Sequence, residues 1–123
     1  MEAYRAARSV LDAGEVVVIL PEGTRSRDGV LAEPRPGVAL LATRTGVPVL
    51  PIGVSNTDHL LGRGSALPRF GTPVTMRVGA PFTLTADPAV PRREAYAAAT
   101  DQMMRRIAEL LDERHRGRWD VSP

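Results

Sequence analysis

The sequence predicts an α/β domain in which helices flank a mostly parallel sheet. Two unbroken apolar runs, residues 16–20 and 47–54, are typical of strands that are buried on both faces of a sheet. The connection between them is long enough for a right-handed parallel crossover and contains a helical pattern over residues 37–45. Further helical patterns over residues 3–11 and 92–113 supply flanking helices, so a three-layer arrangement is expected.

The composition indicates one small domain and argues against several classes of protein. The chain has 123 residues, of which 43% are apolar and 4% aromatic, with a formal net charge of +2. All of its basic residues are arginines, and the mild charge with few aromatics argues against a nucleic-acid-binding protein. The absence of cysteine excludes disulfides and cysteine-ligated metals. No apolar run approaches the roughly 20 residues that span a bilayer, and no signal peptide is evident, so we expect a cytoplasmic, soluble or peripheral protein.

The first helix is predicted from an apolar stripe that is followed by a glycine. Tyr4, Ala7 and Leu11 fall on one face of a helix over residues 3–11. Gly14 is typical of the left-handed position that follows a helix. The first apolar run then begins at Val16 and ends at Leu20, and we expect it to form a buried strand.

The residues directly after this run carry the clearest chemistry in the sequence. Pro21 cannot donate to a sheet ladder, so the strand should end there and present the next side chains at its carboxyl end. Ligands commonly bind at this end of open α/β sheets. The candidate substrate-binding residues are a carboxylate, a glycine, two hydroxyls and a guanidinium: Glu22, Gly23, Thr24, Arg25 and Ser26.

These residue types suit a phosphorylated ligand. Arg25 and Arg27 offer planar cations that can bind phosphate through two N–H groups at once. Gly23 allows the backbone to turn sharply and to approach a ligand closely. The loop over residues 21–36 is long for a compact domain, and such loops are more often functional than not. The alternative is an ordinary exposed turn whose arginines are solvated.

The middle of the chain predicts a helix, closed by Gly46, and a second strand over residues 47–54. Pro48 and Pro51 lie within that strand and favour an edge position or a bulge. Residues 55–73 are rich in glycine and proline and predict a surface excursion. Residues 74–78 then alternate apolar and polar side chains, as a half-exposed strand does, and residues 82–84 predict a short extension.

The longest helix is predicted over residues 92–113, with one apolar stripe facing the core. The members of this stripe are Tyr96, Ala99, Met103, Ile107 and Leu110. Residues 114–123 are rich in arginine and have no periodicity, so they predict a basic tail.

Four blocks of the sequence together resemble the glycerolipid acyltransferases, and in particular the lysophosphatidate (1-acylglycerol-3-phosphate) acyltransferases. Leu20-Pro-Glu-Gly-Thr-Arg-Ser26 resembles the family's third signature block, and Val47-Pro-Val-Leu-Pro-Ile-Gly-Val54 resembles its fourth. Between them, Arg35 and Gly37 match a basic residue and a glycine at the start of a helix, with arginine where the family usually has lysine. Val78-Gly-Ala-Pro81 resembles a later strand that ends in Gly-x-Pro.

This resemblance implies an activity and a set of partners. Members of the family transfer an acyl group from acyl-coenzyme A or acyl carrier protein to a glycerolipid hydroxyl, which for lysophosphatidate gives phosphatidate. It implies that Glu22 and Arg25 hold the glycerol phosphate of the acceptor, and that Val47, Pro48 and Pro51 form a wall of the acceptor site. It implies no cofactor and no metal, and a peripheral location on the inner face of the cell membrane.

The family's catalytic block, Asn-His-x4-Asp, does not precede the third block in this sequence, so no catalytic residue is assigned. His115 and Asp120 have the His-x4-Asp spacing, but they follow the last helix and lack the preceding asparagine, so we do not expect catalysis from them. The resemblance therefore implies one truncated acyltransferase domain, residues 1–123, that lacks its amino-terminal half. The alternative is a non-catalytic relative that binds phosphate or lipid and has lost this block.

The other histidine lies in a polar segment. His59 is followed five residues later by Gly64, so it does not match the catalytic block. A metal site formed by Asn56, Asp58 and His59 is conceivable, but a polar loop after a strand is the simpler interpretation.

Overall fold

The structure is a computed structural model that describes residues 1–24, 26, 28–60 and 67–120. Helices are the main regular elements of this part of the chain. The α-helices are α1 (Glu2–Asp12), α2 (Gly37–Thr45), α3 (Thr57–Leu60) and α4 (Arg92–Ala108). The strands are β1 (Ile52–Ser55) and β2 (Thr75–Val78), and two 3₁₀ turns span Glu113–His115 and Gly117–Trp119. None of the helices in these ranges has the length and apolar character that crossing a membrane requires.

The sheet has two antiparallel strands within the described ranges. β1 pairs with β2 so that Ile52 lies opposite Val78 and Ser55 opposite Thr75. An isolated bridge between Val49 and Phe82 continues the same antiparallel direction. The predicted strand over residues 74–78 and its extension near residue 82 are therefore present.

The prediction of a buried strand over residues 16–20 is wrong for this structure. The segment forms no strand, and Val16 and Val18 are 85% and 87% exposed. A segment becomes a strand only when a neighbour satisfies its backbone N–H and C=O groups, and β1 pairs with β2 instead. The predicted parallel crossover is not formed among the described residues, so the mostly parallel, three-layer arrangement is not confirmed.

The second apolar run forms a shorter strand than predicted. β1 begins at Ile52, directly after Pro51, because a proline cannot donate to a ladder. The following surface excursion contains the short helix α3, which was not predicted, and residues 61–66 of that excursion lie outside the described residues.

The core lies between α2 and α4, and α1 also packs against α2. Its buried members are mostly alanines and methionines, together with one leucine and one tryptophan: Ala39, Ala42, Leu84, Ala99, Met103, Met104, Ala108 and Trp119. In α1, the predicted face of Tyr4, Ala7 and Leu11 is half-buried. Gly46 ends α2, as predicted, and adopts the left-handed conformation with φ of 68°.

The carboxy-terminal region differs from the prediction. α4 ends at Ala108 instead of residue 113, and Tyr96 and Ile107 of the predicted stripe are only half-buried. Residues 114–120 are not a free tail, because they form 3₁₀ turns that bury His115 and Trp119 to 5% and 2% exposure. These two residues lie four and eight positions after the buried Leu111, so a helical spacing of buried side chains continues past the end of α4.

Candidate functional site

The loop over residues 21–36 is closed at its base. The N–H group of Arg35 donates to the carbonyl oxygen of Pro21 over 2.8 Å, which joins the two ends of the loop. At its start, the N–H group of Gly23 donates to the carbonyl oxygen of Leu20 over 3.0 Å, and Gly23 adopts a φ of 69°. Glycine suits this turn because other residues rarely adopt a positive φ.

Glu22 is half-buried inside the loop. Its Oε2 atom accepts a hydrogen bond of 2.7 Å from the N–H group of Ala32. Burial raises the pKa of the Glu22 carboxyl above its ordinary value, and the hydrogen bond from Ala32 opposes that shift. A carboxylate has about four acceptor positions, and Ala32 occupies one of them, so this group can also accept a hydrogen bond from a ligand hydroxyl.

Arg35 lies across the backbone of Gly23. A Cβ atom built on Gly23 would be 2.5 Å from the Nε atom of Arg35, so any larger residue here would displace this side chain. The guanidinium of Arg35 is exposed and lies next to the residue that follows Glu22. The sequence identified Arg35 as the basic residue before a helix, but it did not place Arg35 among the site residues.

The remaining predicted residues of this loop have different outcomes. The Oγ atom of Ser26 lies 2.8 Å from the carbonyl oxygen of Val30 and 3.2 Å from Oδ1 of Asp28, so it supports the loop. Thr24 is exposed. Arg25 and Arg27 lie outside the described residues, so the phosphate-binding role of Arg25 stays a prediction.

The predicted wall residues lie next to the sheet. Pro51 is buried, and its carbonyl oxygen accepts a hydrogen bond of 2.9 Å from the N–H group of Gly79. Val47 is half-buried and Pro48 is exposed. Their role in an acceptor site stays a prediction.

His115 contacts two other segments and not the aspartate five residues later. Its Nδ1 atom contacts the carbonyl oxygen of Gly29, and its Nε2 atom accepts a hydrogen bond of 3.2 Å from the N–H group of Asn56. Asp120 instead lies 3.4 Å from Nη1 of Arg116. This arrangement is not that of a histidine base oriented by a carboxylate.

The polar residues after β1 are bound to an arginine. The guanidinium of Arg114 donates to Oδ1 of Asn56 over 2.7 Å and to both carboxylate oxygens of Asp58 over 3.1 and 3.2 Å. These hydrogen bonds lower the pKa of Asp58. In the parts of the chain that the structure describes, no group of three or more His, Asp or Glu side chains is arranged to hold a metal ion.

Known proteins are similar to this chain over different lengths. A family model described as Acyltransferase matches residues 1–55. The 1-acyl-sn-glycerol-3-phosphate acyltransferase BAT2 of Brassica napus is 35% identical over 65 residues, which are 53% of this chain and 19% of that protein. The corresponding protein LPAT1 of Arabidopsis thaliana is also 35% identical over 65 residues, 53% of this chain and 18% of that protein. Both plant proteins are named as chloroplastic.

A solved structure resembles most of the described fold. The crystal structure of the 1-acyl-sn-glycerophosphate (LPA) acyltransferase PlsC from Thermotoga maritima matches with a TM-score of 0.59 and 27% sequence identity, over 84% of this chain and 43% of that one. This chain therefore spans less than half of that enzyme and about a fifth of the plant relatives. Over the part that these matches cover, the chain is similar to glycerolipid acyltransferases, which confirms the resemblance of its motifs.

Proposed function

We propose that this chain is the acceptor-binding part of an enzyme that transfers an acyl group from acyl-coenzyme A or acyl carrier protein to the free hydroxyl of lysophosphatidate, giving phosphatidate. The observation that carries the proposal is the closed loop, which half-buries Glu22 and in which the Arg35 side chain lies against Gly23, the residue after Glu22. A carboxylate and a guanidinium in one loop suit a glycerol phosphate, because the carboxylate accepts from a hydroxyl and the guanidinium donates to phosphate.

In the proposed reaction, the loop binds and orients the acceptor and does not perform the proton transfer. Arg25 and Arg35 would donate hydrogen bonds to the phosphate, and Glu22 would accept from a glycerol hydroxyl. The general base that removes the proton from the attacking hydroxyl is expected from a His-x4-Asp block. His115 does not fit that role, because its ring contacts Gly29 and Asn56 in the folded chain.

The exposed face of the sheet supports the proposal that the domain is incomplete. Four apolar side chains form two cross-strand pairs on this face and remain exposed: Ile52 with Val78, and Val54 with Met76. An apolar sheet face of this kind is usually covered by another layer of a domain, and Val16 and Val18 are exposed apolar side chains as well. We propose that further parts of the acyltransferase fold cover this surface in the intact enzyme, which would act peripherally at the inner face of the cell membrane.

A titration with sn-glycerol 3-phosphate, the headgroup of the proposed acceptor, tests the binding part of this proposal. In ¹⁵N-labelled protein, we expect the amide shift changes to concentrate in residues 21–36 and to shrink in Glu22→Gln and Arg25→Ala variants. Arg44→Ala is a matched control, because Arg44 is an exposed arginine of α2 that contacts Tyr96. Equal weakening in Arg25→Ala and Arg44→Ala would show non-specific attraction to arginine, and an absence of shifts in the loop would contradict the proposal.

The second candidate, a non-catalytic phosphate- or lipid-binding relative, makes the same binding prediction. An in-frame Asn-His-x4-Asp block in the coding sequence upstream of Met1 favours the enzyme. With that segment included, the enzyme should release coenzyme A from acyl-coenzyme A only when lysophosphatidate is present. Binding without acyl transfer by such a protein would favour the second candidate.

A further inference from the structure

We infer that His115 is a positioning residue for Glu22: the first 3₁₀ turn holds residues 29–32 in place, and this segment in turn fixes the Glu22 carboxylate. The inference deepens the proposed function, because it rests on Glu22 being part of an acceptor site. The sequence predicted only a basic tail in this region.

His115 contacts residues 29–32 through both its main chain and its side chain. Its carbonyl oxygen accepts a hydrogen bond of 2.8 Å from the N–H group of Leu31. Its Nδ1 atom contacts the carbonyl oxygen of Gly29. One buried residue thus binds two positions of the loop that lie two residues apart.

Asn56 fixes the orientation and the tautomer of the imidazole ring. The N–H group of Asn56 can only donate, so the Nε2 atom of His115 accepts this bond of 3.2 Å and the ring proton lies on Nδ1. The Oδ1 atom of Asn56 also lies 3.3 Å from Nε2, but it accepts a shorter hydrogen bond of 2.7 Å from Arg114. Nδ1 then donates to the carbonyl oxygen of Gly29. Asn56 is itself held in the left-handed conformation, with φ of 73°, and its side chain is bound by Arg114.

The segment that His115 holds is the same one that binds Glu22. The residue after Leu31 is Ala32, whose N–H group donates to Glu22 over 2.7 Å. Consecutive N–H groups of the loop therefore bind His115 on one side and Glu22 on the other. A shift of this segment by the width of a side chain would break the bond to Glu22, since such bonds weaken steeply with distance and angle.

The second 3₁₀ turn packs closely against the same segment. A Cβ atom on Gly117 would lie 2.7 Å from Cγ1 of Val30 and 3.3 Å from the carbonyl oxygen of Leu31, and Gly117 adopts a φ of 58°. On the exposed side, Arg118 forms an ion pair of 3.0 Å with Glu33. Main-chain, side-chain and ionic contacts from residues 115–118 thus all reach residues 29–33.

The simpler alternative is that His115 stabilises the fold without affecting Glu22. The two interpretations differ in what happens to the Glu22 carboxyl, whose pKa is raised by burial in the closed loop. If His115 positions the loop, its removal should expose Glu22 and return the pKa of that carboxyl toward its ordinary value. If His115 only stabilises the fold, the pKa of Glu22 should be unchanged in the folded variant.

The test is an NMR titration of the Glu22 carboxyl carbon in the wild-type chain and in three variants. His115→Leu fills the space without a polar group, and His115→Asn can place its amide N–H close to the position of Nδ1 and donate to Gly29. We expect His115→Leu to lower the pKa of Glu22 and His115→Asn to restore most of the wild-type value. Ala95→Gly is the control, because it weakens α4 at a buried position outside the loop and should leave Glu22 unchanged. A wild-type pKa for Glu22 in folded His115→Leu would overturn the inference.

A second measurement needs no variant, in case His115→Leu does not fold. Amide hydrogen exchange in the wild-type chain should show Leu31 and Ala32 protected by at least about tenfold relative to the exposed Ala80 and Gly71. Exchange of Leu31 and Ala32 at the rate of those exposed amides would also overturn the inference. Neither measurement includes a ligand, so a chain that passes both but does not bind sn-glycerol 3-phosphate would contradict the proposed function and leave the positioning role intact.

Discussion

Gly53 of β1 lies directly against Leu110, which follows the end of α4. A Cβ atom on Gly53 would be 2.7 Å from Cβ of Leu110 and 3.0 Å from both its carbonyl carbon and its carbonyl oxygen. Arg77, the cross-strand partner of Gly53, donates to that same carbonyl oxygen over 3.2 Å. The strand pair and the end of α4 therefore meet where no side chain fits on β1.

A Gly53→Ala substitution should lower the free energy of unfolding by about 1–3 kcal/mol, the usual cost of overpacking a close contact. Part of the contact is with main-chain atoms of Leu110, so a rotamer change cannot relieve it. Urea unfolding followed by circular dichroism measures the effect. Gly37→Ala is the control, because a Cβ on Gly37 meets no atom within 4 Å, and it should change the midpoint little. Equal midpoints for Gly53→Ala and wild type would contradict the close packing.

The sequence predicted α1, α2 and most of α4 because their signals are local. The apolar stripe of α1 and the left-handed Gly46 at the end of α2 both depend on residues within one or two turns. The strand over residues 16–20 was predicted from composition alone, and composition cannot show whether a neighbouring strand is present to pair with it. The structure has no such strand among the described residues.

The candidate site could be predicted only in part, because only some of its contacts are between residues that are close in sequence. Glu22 and Gly23 lie in a contiguous motif whose turn chemistry is readable from the sequence. His115 acts on that loop from 86 positions away, and no local pattern encodes the contact with Gly29. The signal that was available is the spacing of Leu111, His115 and Trp119, which places three buried side chains four residues apart after the end of α4.

A Glu22→Gln substitution should stabilise the folded chain at neutral pH. Burial raises the pKa of Glu22 above its ordinary value of 4.5, so the ionised form is disfavoured in the folded state. The contribution of Glu22 to stability is full below pH 4.5 and is lost as the pH rises through the folded-state value. Glutamine carries no charge, and its amide oxygen can still accept the hydrogen bond from Ala32.

The measurement is urea unfolding of both proteins from pH 3.5 to pH 7. The increase in the free energy of unfolding that Glu22→Gln gives over wild type should be absent at the acidic end of this range and should appear as the pH rises. Glu33→Gln, which removes an exposed ion pair with Arg118, is the control and should show no such gain. A Glu22→Gln variant that is less stable than wild type at pH 7 would contradict the prediction.

The exposed apolar segment at residues 16–20 should cause the isolated chain to self-associate. Val18 is 87% exposed, and an unpaired apolar segment is a template for intermolecular pairing. Val18→Lys should increase the monomer fraction in analytical ultracentrifugation at equal protein concentration. Val17→Lys places the same charge on a half-buried neighbour and should instead lower stability. A wild-type chain that is fully monomeric at high concentration would show that this surface does not drive association.

The chain by itself should not transfer acyl groups. General base catalysis typically contributes a factor of about 10²–10⁴, and His115, the only histidine with the His-x4-Asp spacing, is buried and bound to Gly29 and Asn56. Release of coenzyme A from acyl-coenzyme A with lysophosphatidate should match a blank without protein. Activity above the blank would contradict this prediction, and its loss in His115→Ala would identify His115 as needed for that activity.

In an active enzyme that contains this chain, Arg25→Ala should raise the Michaelis constant for the acceptor far more than that for the acyl donor. Arg25 lies two residues after Gly23, in the loop that brings Glu22 and Arg35 together, and a guanidinium there can bind phosphate through two N–H groups. Each hydrogen bond to a charged group contributes about 1.5–3 kcal/mol, so the acceptor constant should rise at least about tenfold.

The Arg25→Lys variant tests the geometry of that contact. Lysine keeps the charge without the planar arrangement of donors, so it should restore only part of the acceptor affinity. The control is Arg44→Ala, which removes an exposed arginine from α2 and should leave both Michaelis constants unchanged. Full rescue by lysine would indicate simple charge attraction, because a point charge would then be sufficient. Equal effects of Arg25→Ala on donor and acceptor, or no effect on either, would show that Arg25 does not hold the acceptor phosphate. Arg35 would then be the arginine to substitute next, since its side chain lies against Gly23, the residue after Glu22.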